Sequence, residues 1–326
     1  MEPTNINPLQ KPITSGFGTH TTAEEVIAGI DLSGKDVIIT GGSSGIGLET
    51  TKILSKAGAT IVVGVRNIEK AKQALAELPH VTIFRLDLSD PLSIDQFAEE
   101  VLASHQKIDT LINNAGIMAI PLARDARGYE MQFATNHLGH FQLTARLLKA
   151  LKNAHGARVV TLTSAGHRFG GVDLEDPNFT ARPYGPWTAY GQSKSANSLF
   201  SVELDRRGRE HNIRAFAVHP GRIPSTNLGT HLQANGQQMT APPVAGVEAG
   251  PVTTKTIPEG AATTVWCAVS SQLDGIGGVY CANCDVSPII SPEIHVDEGV
   301  RAFAIDTVIA QKLWRLSEEL TDIEIL

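Results

Sequence analysis

Cysteine, aromatic residues and long apolar runs are all scarce in this chain, and each scarcity excludes a class of protein. Three cysteines in 326 residues (Cys267, Cys281, Cys284) are too few for a disulfide framework. Cys281 and Cys284 form a CxxC, but no second CxxC or paired histidine stands nearby to complete a zinc set. We read them as small residues on a late strand and its turn, and expect no metal. The N-terminal stretch holds no apolar run that could form a signal peptide, and the longest runs elsewhere, such as Ile61–Val65, are strand-sized. A cytoplasmic protein with no membrane partner is the expectation. Basic residues are also in deficit, with 27 Lys and Arg against 34 Asp and Glu and a net charge of −7. Such a surface repels nucleic acid rather than recruiting it. The 42% of hydrophobic residues nonetheless suffices to bury a core.

What is present is alternation. Residues 1–33 read as a polar arm with one short helix, Ala23–Ile30, capped by Thr22. From Asp36 onward, short apolar runs alternate with amphipathic segments, the signature of βαβ units. Candidate strands are Asp36–Thr40, Thr60–Val65, Val81–Arg85, Thr110–Asn113, Arg158–Thr163, Arg214–His219 and Val279–Cys281. Helical patterns occupy Ile46–Lys56, Glu69–Leu78, Ser93–His105, Gly128–Leu151, Trp187–Arg209 and Glu259–Ser270. Right-handed crossovers of that length give a doubly wound parallel sheet with helices on both faces. Residues 34–296 form one α/β domain, and a helix in 297–326 packs back on it. Two irregular stretches, Ala165–Pro186 and Arg222–Pro258, are long enough to be functional loops.

Thr40-Gly41-Gly42-Ser43-Ser44-Gly45-Ile46-Gly47 lies between the first strand and the first long helix. That context lets Gly41, Gly45 and Gly47, with Ser43, Ser44 and Ile46, bring free helix amides up to a pyrophosphate. The second strand ends at Val65-Arg66, where an NAD site would carry an acid. A guanidinium there suits a 2′-phosphate, so NADP(H) is expected over NAD(H). Asp87 and Leu88 close the third strand where adenine should lie, and Asn114, Ala115 and Gly116 close the fourth. Pro220, Gly221 and Ile223 follow the sixth, where the Ile223 backbone can reach the nicotinamide carboxamide.

Tyr190 and Lys194, four apart on a helix, share one face. An ammonium beside a phenol favours the phenolate and moves its pKa down toward a useful range. Ser164 closes the fifth strand and can hold a substrate oxygen, while Asn136 can hold a relay water for Lys194. His137, His140 and His219 stand in no motif of their own, and we read them as structural.

Together, TGGSSGIG at 40–47, NNAG at 113–116, Asn136, Ser164, YGQSK at 190–194 and HPG at 219–221 resemble a short-chain dehydrogenase/reductase. The resemblance spans 36–285 and implies a seven-stranded Rossmann fold with a catalytic tetrad. In it Tyr190 is the general acid/base, Lys194 lowers its pKa, Ser164 positions the carbonyl and Asn136 anchors the water. Within the family the chain is most similar to the retinol dehydrogenase and WW-domain-oxidoreductase branch. The residues carrying that likeness are 136–141, Ser164–His167, the long gap to Tyr190, and Ser193–Asn197. It departs at Thr163, where a serine is usual, and at Arg222–Thr226, and no membrane anchor is expected. Members often pair the helices of Gly128–Leu151 and Trp187–Arg209 across a twofold axis, so a homodimer or homotetramer is an open expectation. The expected reaction is NADP(H)-dependent interconversion of a carbonyl and an alcohol. The substrate is a bulky hydrophobic small molecule, lined by Phe169, Val172, Leu174, Trp187, Ile223, Leu228, Leu232 and Met239. The alternatives are reduction of C=N or C=C bonds on the same fold, or a non-catalytic NADP(H)-binding regulator.

Overall fold

The strand β1 (Asp36–Thr40) sends alternate side chains into two separate cores. Val37 and Ile39 join one cluster and Ile38 the other, as the two-residue period of a strand requires. The next strand, β2 (Thr60–Val65), repeats the division, with Ile61 and Val63 on one side and Val62 on the other. Strands apolar on both faces need a helical layer on each side, which is why they read as unbroken apolar runs. The computed structural model describes residues 5–229, 232, 253–291 and 298–326; the Met239 expectation lies outside them.

Further strands are β3 (Val81–Arg85), β4 (Thr110–Asn113), β5 (Arg158–Leu162), β6 (Arg214–His219), β7 (Val279–Ala282) and β8 (Asp285–Val286). The sheet runs β3-β2-β1-β4-β5-β6-β7-β8, parallel throughout except for β8, which is antiparallel to β7. The order reverses direction between β1 and β4, which creates the crevice where α/β proteins take ligands. Among the described residues the sheet has eight strands where seven were expected. The extra one follows a tight turn in which Asn283 and Cys284 both have positive φ, +54° and +56°. Cysteine is no signal for such a turn, and a two-residue strand shows no period. The turn also accounts for the CxxC: Cys281 lies in β7 and Cys284 in the turn, both buried and unpaired like Cys267. No metal-holding group of His, Cys, Asp and Glu occurs among the described residues.

One core face is covered by the helices Gly45–Lys56 and Ile257–Val269. The other is covered by Pro91–Ser104, Gly139–Asn153 and Pro186–Gly208. The helix expected over Gly128–Leu151 is not continuous. A short turn at Met131–Phe133 leads into a π-helical turn at Ala134–Leu138 before regular helix resumes at Gly139.

The C-terminal helix begins at Thr307 rather than near Asp297, with the Asp306 side chain accepting from the amides of Val308 and Ile309. Its Trp314 stacks on Phe200 at 5.8 Å and meets Phe141 edge-on at 5.1 Å. Each such pair adds about 0.5–1.5 kcal/mol beyond area burial. This helix therefore lies across the two helices whose pairing the resemblance suggested. At the other end of the chain, Gln10 donates to the carbonyls of Tyr280 and Ser287 and accepts from the Tyr280 amide, which stitches the arm to β7. Among the described residues no helix is long and apolar enough to cross a membrane.

Candidate active site

The carboxyl ends of β1, β4, β5 and β6 and the turns after them form the crevice. After β1, Gly41 adopts φ +68° and Gly45 φ +52°, conformations that L side chains resist. A β-carbon on Gly47 would stand 2.3 Å from the Gly41 carbonyl oxygen, so only glycine closes this turn. Ser44 leads into the helix Gly45–Lys56 with no side-chain cap bond, whereas Asn67, Asp90, Thr256 and Asp306 each cap the helix that follows. The first-turn amides thus keep their capacity for an anion. With the glycine cradle, this fits a dinucleotide pyrophosphate. Thr226 seats over the same turn, its Cγ2 at 3.6 Å from where a Gly45 β-carbon would be. That gives the Arg222–Thr226 departure a place in the crevice.

The β4 end is wired to β1. Asn114 Nδ2 donates to the carbonyl of Thr40 at 2.8 Å, and the Asn114 and Ala115 amides both donate to Thr40 Oγ1 at 2.9 Å. Asn113 donates from inside the sheet to Thr161 and Thr144. A β-carbon on Gly116 would come within 3.1 Å of Asn136 Oδ1 and 3.6 Å of Lys194 Nζ, so these three residues converge.

Ser164 follows β5 and opens a 3-10 turn, Ala165–Phe169, its hydroxyl accepting the Gly166 amide at 3.0 Å. The Tyr190 ring edge and this same serine hydroxyl both lie against Gly166, 2.6 Å and 3.3 Å from where its β-carbon would stand. Tyr190 is 4% exposed, and Lys194, 5% exposed, sets its Nζ 5.7 Å from the tyrosine ring centroid while donating to the Leu162 carbonyl at 3.1 Å. Thr163 donates to the Lys194 carbonyl at 2.8 Å and accepts from Ser198, which is the work of a hydroxyl and explains why threonine serves in place of serine. Asn136 sits in the π-helical turn, a distortion that often re-aims a functional side chain. Its side-chain amide spans Ile117, accepting from that residue's N–H at 2.8 Å and donating to its carbonyl at 2.9 Å, and donates to Ser193 Oγ at 2.9 Å.

The electrostatics correct one expectation. Burial pushes the Tyr190 phenol up to about 12, the nearby Ser164 hydroxyl opposing it, and burial pushes the Lys194 ammonium down to about 8. Desolvation therefore outweighs the downward pull on the phenol expected from Lys194. The phenol of this structure is protonated at neutral pH.

Other expected residues occupy the rim. Arg66 is exposed just beyond β2. Asp87 accepts from the Ser89 amide and hydroxyl through Oδ1, and Leu88 is buried. Pro220 and Gly221 follow β6, with Gly221 at φ +92° and the Lys255 stem packed against it. Ile223 is buried against Gly260. Of the expected apolar lining, Trp187 and Leu232 gather at Tyr190, where Met118 and Ala119 join them without having been anticipated. Phe169 meets Trp187 at 5.8 Å. Val172 and Leu174 pack instead against the separate core cluster that contains Phe133 and Tyr280, and Leu228 is 37% exposed. Met118 and Ala119 were missed because they follow the β4 motif in a loop with no period, and Ala119 carries a positive φ (+49°) that nothing in its type announces. Thr40 and Gly42 stand in the same motif with no role assigned to them from the sequence. Yet a β-carbon on Gly42 would clash with Thr51, Ile39 and Val63 within 2.9 Å.

Comparison with known proteins agrees with this geometry. The short chain dehydrogenase family pattern matches residues 35–236. The chain is 35% identical over 302 residues to retinol dehydrogenase 12 of Mus musculus, covering 90% of this chain and 89% of that protein. It is 34% identical over 327 residues to the Homo sapiens WW domain-containing oxidoreductase, covering 96% of this chain and 74% of that one. A solved structure from Mycobacterium paratuberculosis superposes with a TM-score of 0.72 at 35% identity, covering 92% of this chain and 98% of that one. Fold, strand-end geometry and sequence likeness lead to one assignment: the chain belongs to the short-chain dehydrogenase family of oxidoreductases.

Proposed function

We propose that the protein reduces the carbonyl group of a bulky, hydrophobic ketone or aldehyde with NADPH. The observation that carries this reading is the meeting of the Tyr190 ring edge and the Ser164 hydroxyl at Gly166, with Lys194 beside the ring. When bound, the nicotinamide supplies the hydride to the carbonyl carbon. Ser164 and Tyr190 hold the carbonyl oxygen between two hydroxyl donors and stabilise the charge that develops on it. Tyr190 then gives its proton to the forming alkoxide, which is the task a buried, protonated phenol is ready for. Lys194 holds a positive charge next to the phenolate left behind. Asn136 ties Ile117 to Ser193, the residue before that lysine, and is the anchor we assign to the relay water.

For the cofactor, Gly41, Ser43, Ser44, Gly45, Ile46 and Gly47 would hold the pyrophosphate, and Arg66 would pair with the 2′-phosphate of NADP(H). Asp87, Leu88, Asn114, Ala115 and Gly116 would hold the adenine and ribose. Tyr190 and Lys194 would meet the second ribose, and Pro220, Gly221 and Ile223 the carboxamide. Met118, Ala119, Trp187 and Leu232 give the mouth over Tyr190 its apolar character. The test is NADPH oxidation against a panel of hydrophobic ketones, aldehydes and matched imines, with cofactor binding measured separately. Turnover on the ketones and aldehydes supports the reading. Tight NADPH binding with no turnover would make the protein a regulator, and turnover on imines alone would move the chemistry to C=N.

A further inference from the structure

His140 and Thr40 are both almost wholly buried, 1% and 0% exposed, and neither is a group the proposed reaction uses directly. Thr40 Oγ1 accepts two amide protons, from Asn114 and Ala115, each at 2.9 Å. A hydroxyl has two acceptor positions and one proton, so with both acceptors taken its proton must go elsewhere. The remaining neighbour is His140 Nε2 at 2.9 Å. That nitrogen must therefore be bare, and the ring proton sits on Nδ1. His140 Nδ1 lies 2.9 Å from the backbone carbonyl of Asn136, to which it donates. The chain of hydrogen bonds is thus fully determined, from the β4 amides through Thr40 and the imidazole to Asn136.

We propose that His140 is a positioning residue that fixes the π-helical turn at Asn136 and couples it to the end of β1, where the glycine turn begins. It rests on the proposed function for its kinetic consequence alone. The imidazole gives the Asn136 carbonyl a side-chain donor in a stretch where the helix departs from its regular ladder, with the Gly139 amide bonding back to Ala134. With its backbone held this way, Asn136 can spend its side-chain amide on Ile117 and on Ser193, the residue before Lys194. Histidine suits this role because one flat ring offers an acceptor at one corner and a donor at the other.

The bridge is tested first without any substitution, by ¹⁵N-detected histidine spectra of the full-length protein, in which each ring nitrogen reports whether it carries a proton. The expected result is a single Nδ1–H tautomer for His140, and an Nε2–H tautomer would overturn the bridge. The second arm is kinetic. His140→Leu, which keeps the volume and loses both bonds, should lower kcat at least about tenfold while the ketone KM stays within about twofold. His140→Asn, which can restore the donor to Asn136, should recover most of kcat. A role in filling space alone predicts the opposite order, with leucine near wild type and asparagine worse, and that order would overturn the proposal. If the wild type itself turns over no carbonyl substrate, the proposed function fails, while the tautomer still decides the bridge.

Discussion

A β-carbon placed on Gly166 would stand 2.6 Å from Cε1 of Tyr190, with the Ser164 hydroxyl 3.3 Å away. The 3-10 turn after β5 thus has no side chain at the point where the tyrosine ring lies against it. Gly166→Ala should push the phenol off Ser164 and lower kcat by about tenfold or more, as a misplacement costing ~1.4 kcal/mol in the transition state would. NADPH affinity should change less than kcat, since the glycine-rich turn assigned to the pyrophosphate follows β1 and is left intact. Steady-state kinetics with a separate cofactor titration checks both halves.

Cofactor choice rests on Arg66. Arg66→Asp would place a carboxylate at the end of β2, repelling a 2′-phosphate and accepting from a ribose hydroxyl. The ratio of kcat/KM for NADPH over NADH should fall by at least about tenfold, ~1.4 kcal/mol of differential binding. An unchanged ratio would remove the guanidinium from the account.

Three buried histidines predict how stability depends on pH. Burial pushes His137 and His167 down to about 3 and His140 to about 4, from an ordinary 6.5. The unfolded chain therefore binds protons at these sites between about 4 and 6.5 that the folded chain refuses. Their contribution is complete above 6.5 and is lost as pH falls toward the folded values. Each histidine adds a slope on the order of 1.4 kcal/mol per pH unit within that window. Urea unfolding at a series of pH values should show stability falling steeply below neutrality, and His137→Phe should shallow the slope. A flat profile would mean these rings protonate in place.

The turnover profile has a different origin. Lys194 is held down to about 8, while Tyr190 stays protonated to about 12. Reduction should be level below about 8 and decline above it as the ammonium loses its charge. A profile of kcat against pH, taken with NADPH saturating, checks the position of that fall.

Much of this was legible in the sequence because it was periodic or local. The continuous apolar runs of β1 and β2 and the four-residue step from Tyr190 to Lys194 carry their own geometry. Ser164 could be brought to Tyr190 only through strand order, which the alternation of elements supplied. Long-range or exceptional features were hidden. The π-helical turn at Asn136 keeps an ordinary helical composition, and the β7–β8 turn uses a cysteine at positive φ. The sign of the Tyr190 shift depended on burial, which spacing cannot show. Thr40 and His140 lie a hundred residues apart, and the bond between them has no signature in either residue's neighbourhood.

The central claim is that Tyr190 delivers the proton, and Tyr190→Phe tests it most directly because the ring that packs on Trp187 and Gly166 is retained. Ketone-dependent NADPH oxidation and NADPH binding should be measured on the same preparation. The account predicts turnover reduced at least about a hundredfold, the scale of general acid catalysis, with cofactor affinity within about threefold of wild type. Full turnover by Tyr190→Phe with cofactor affinity unchanged would contradict it.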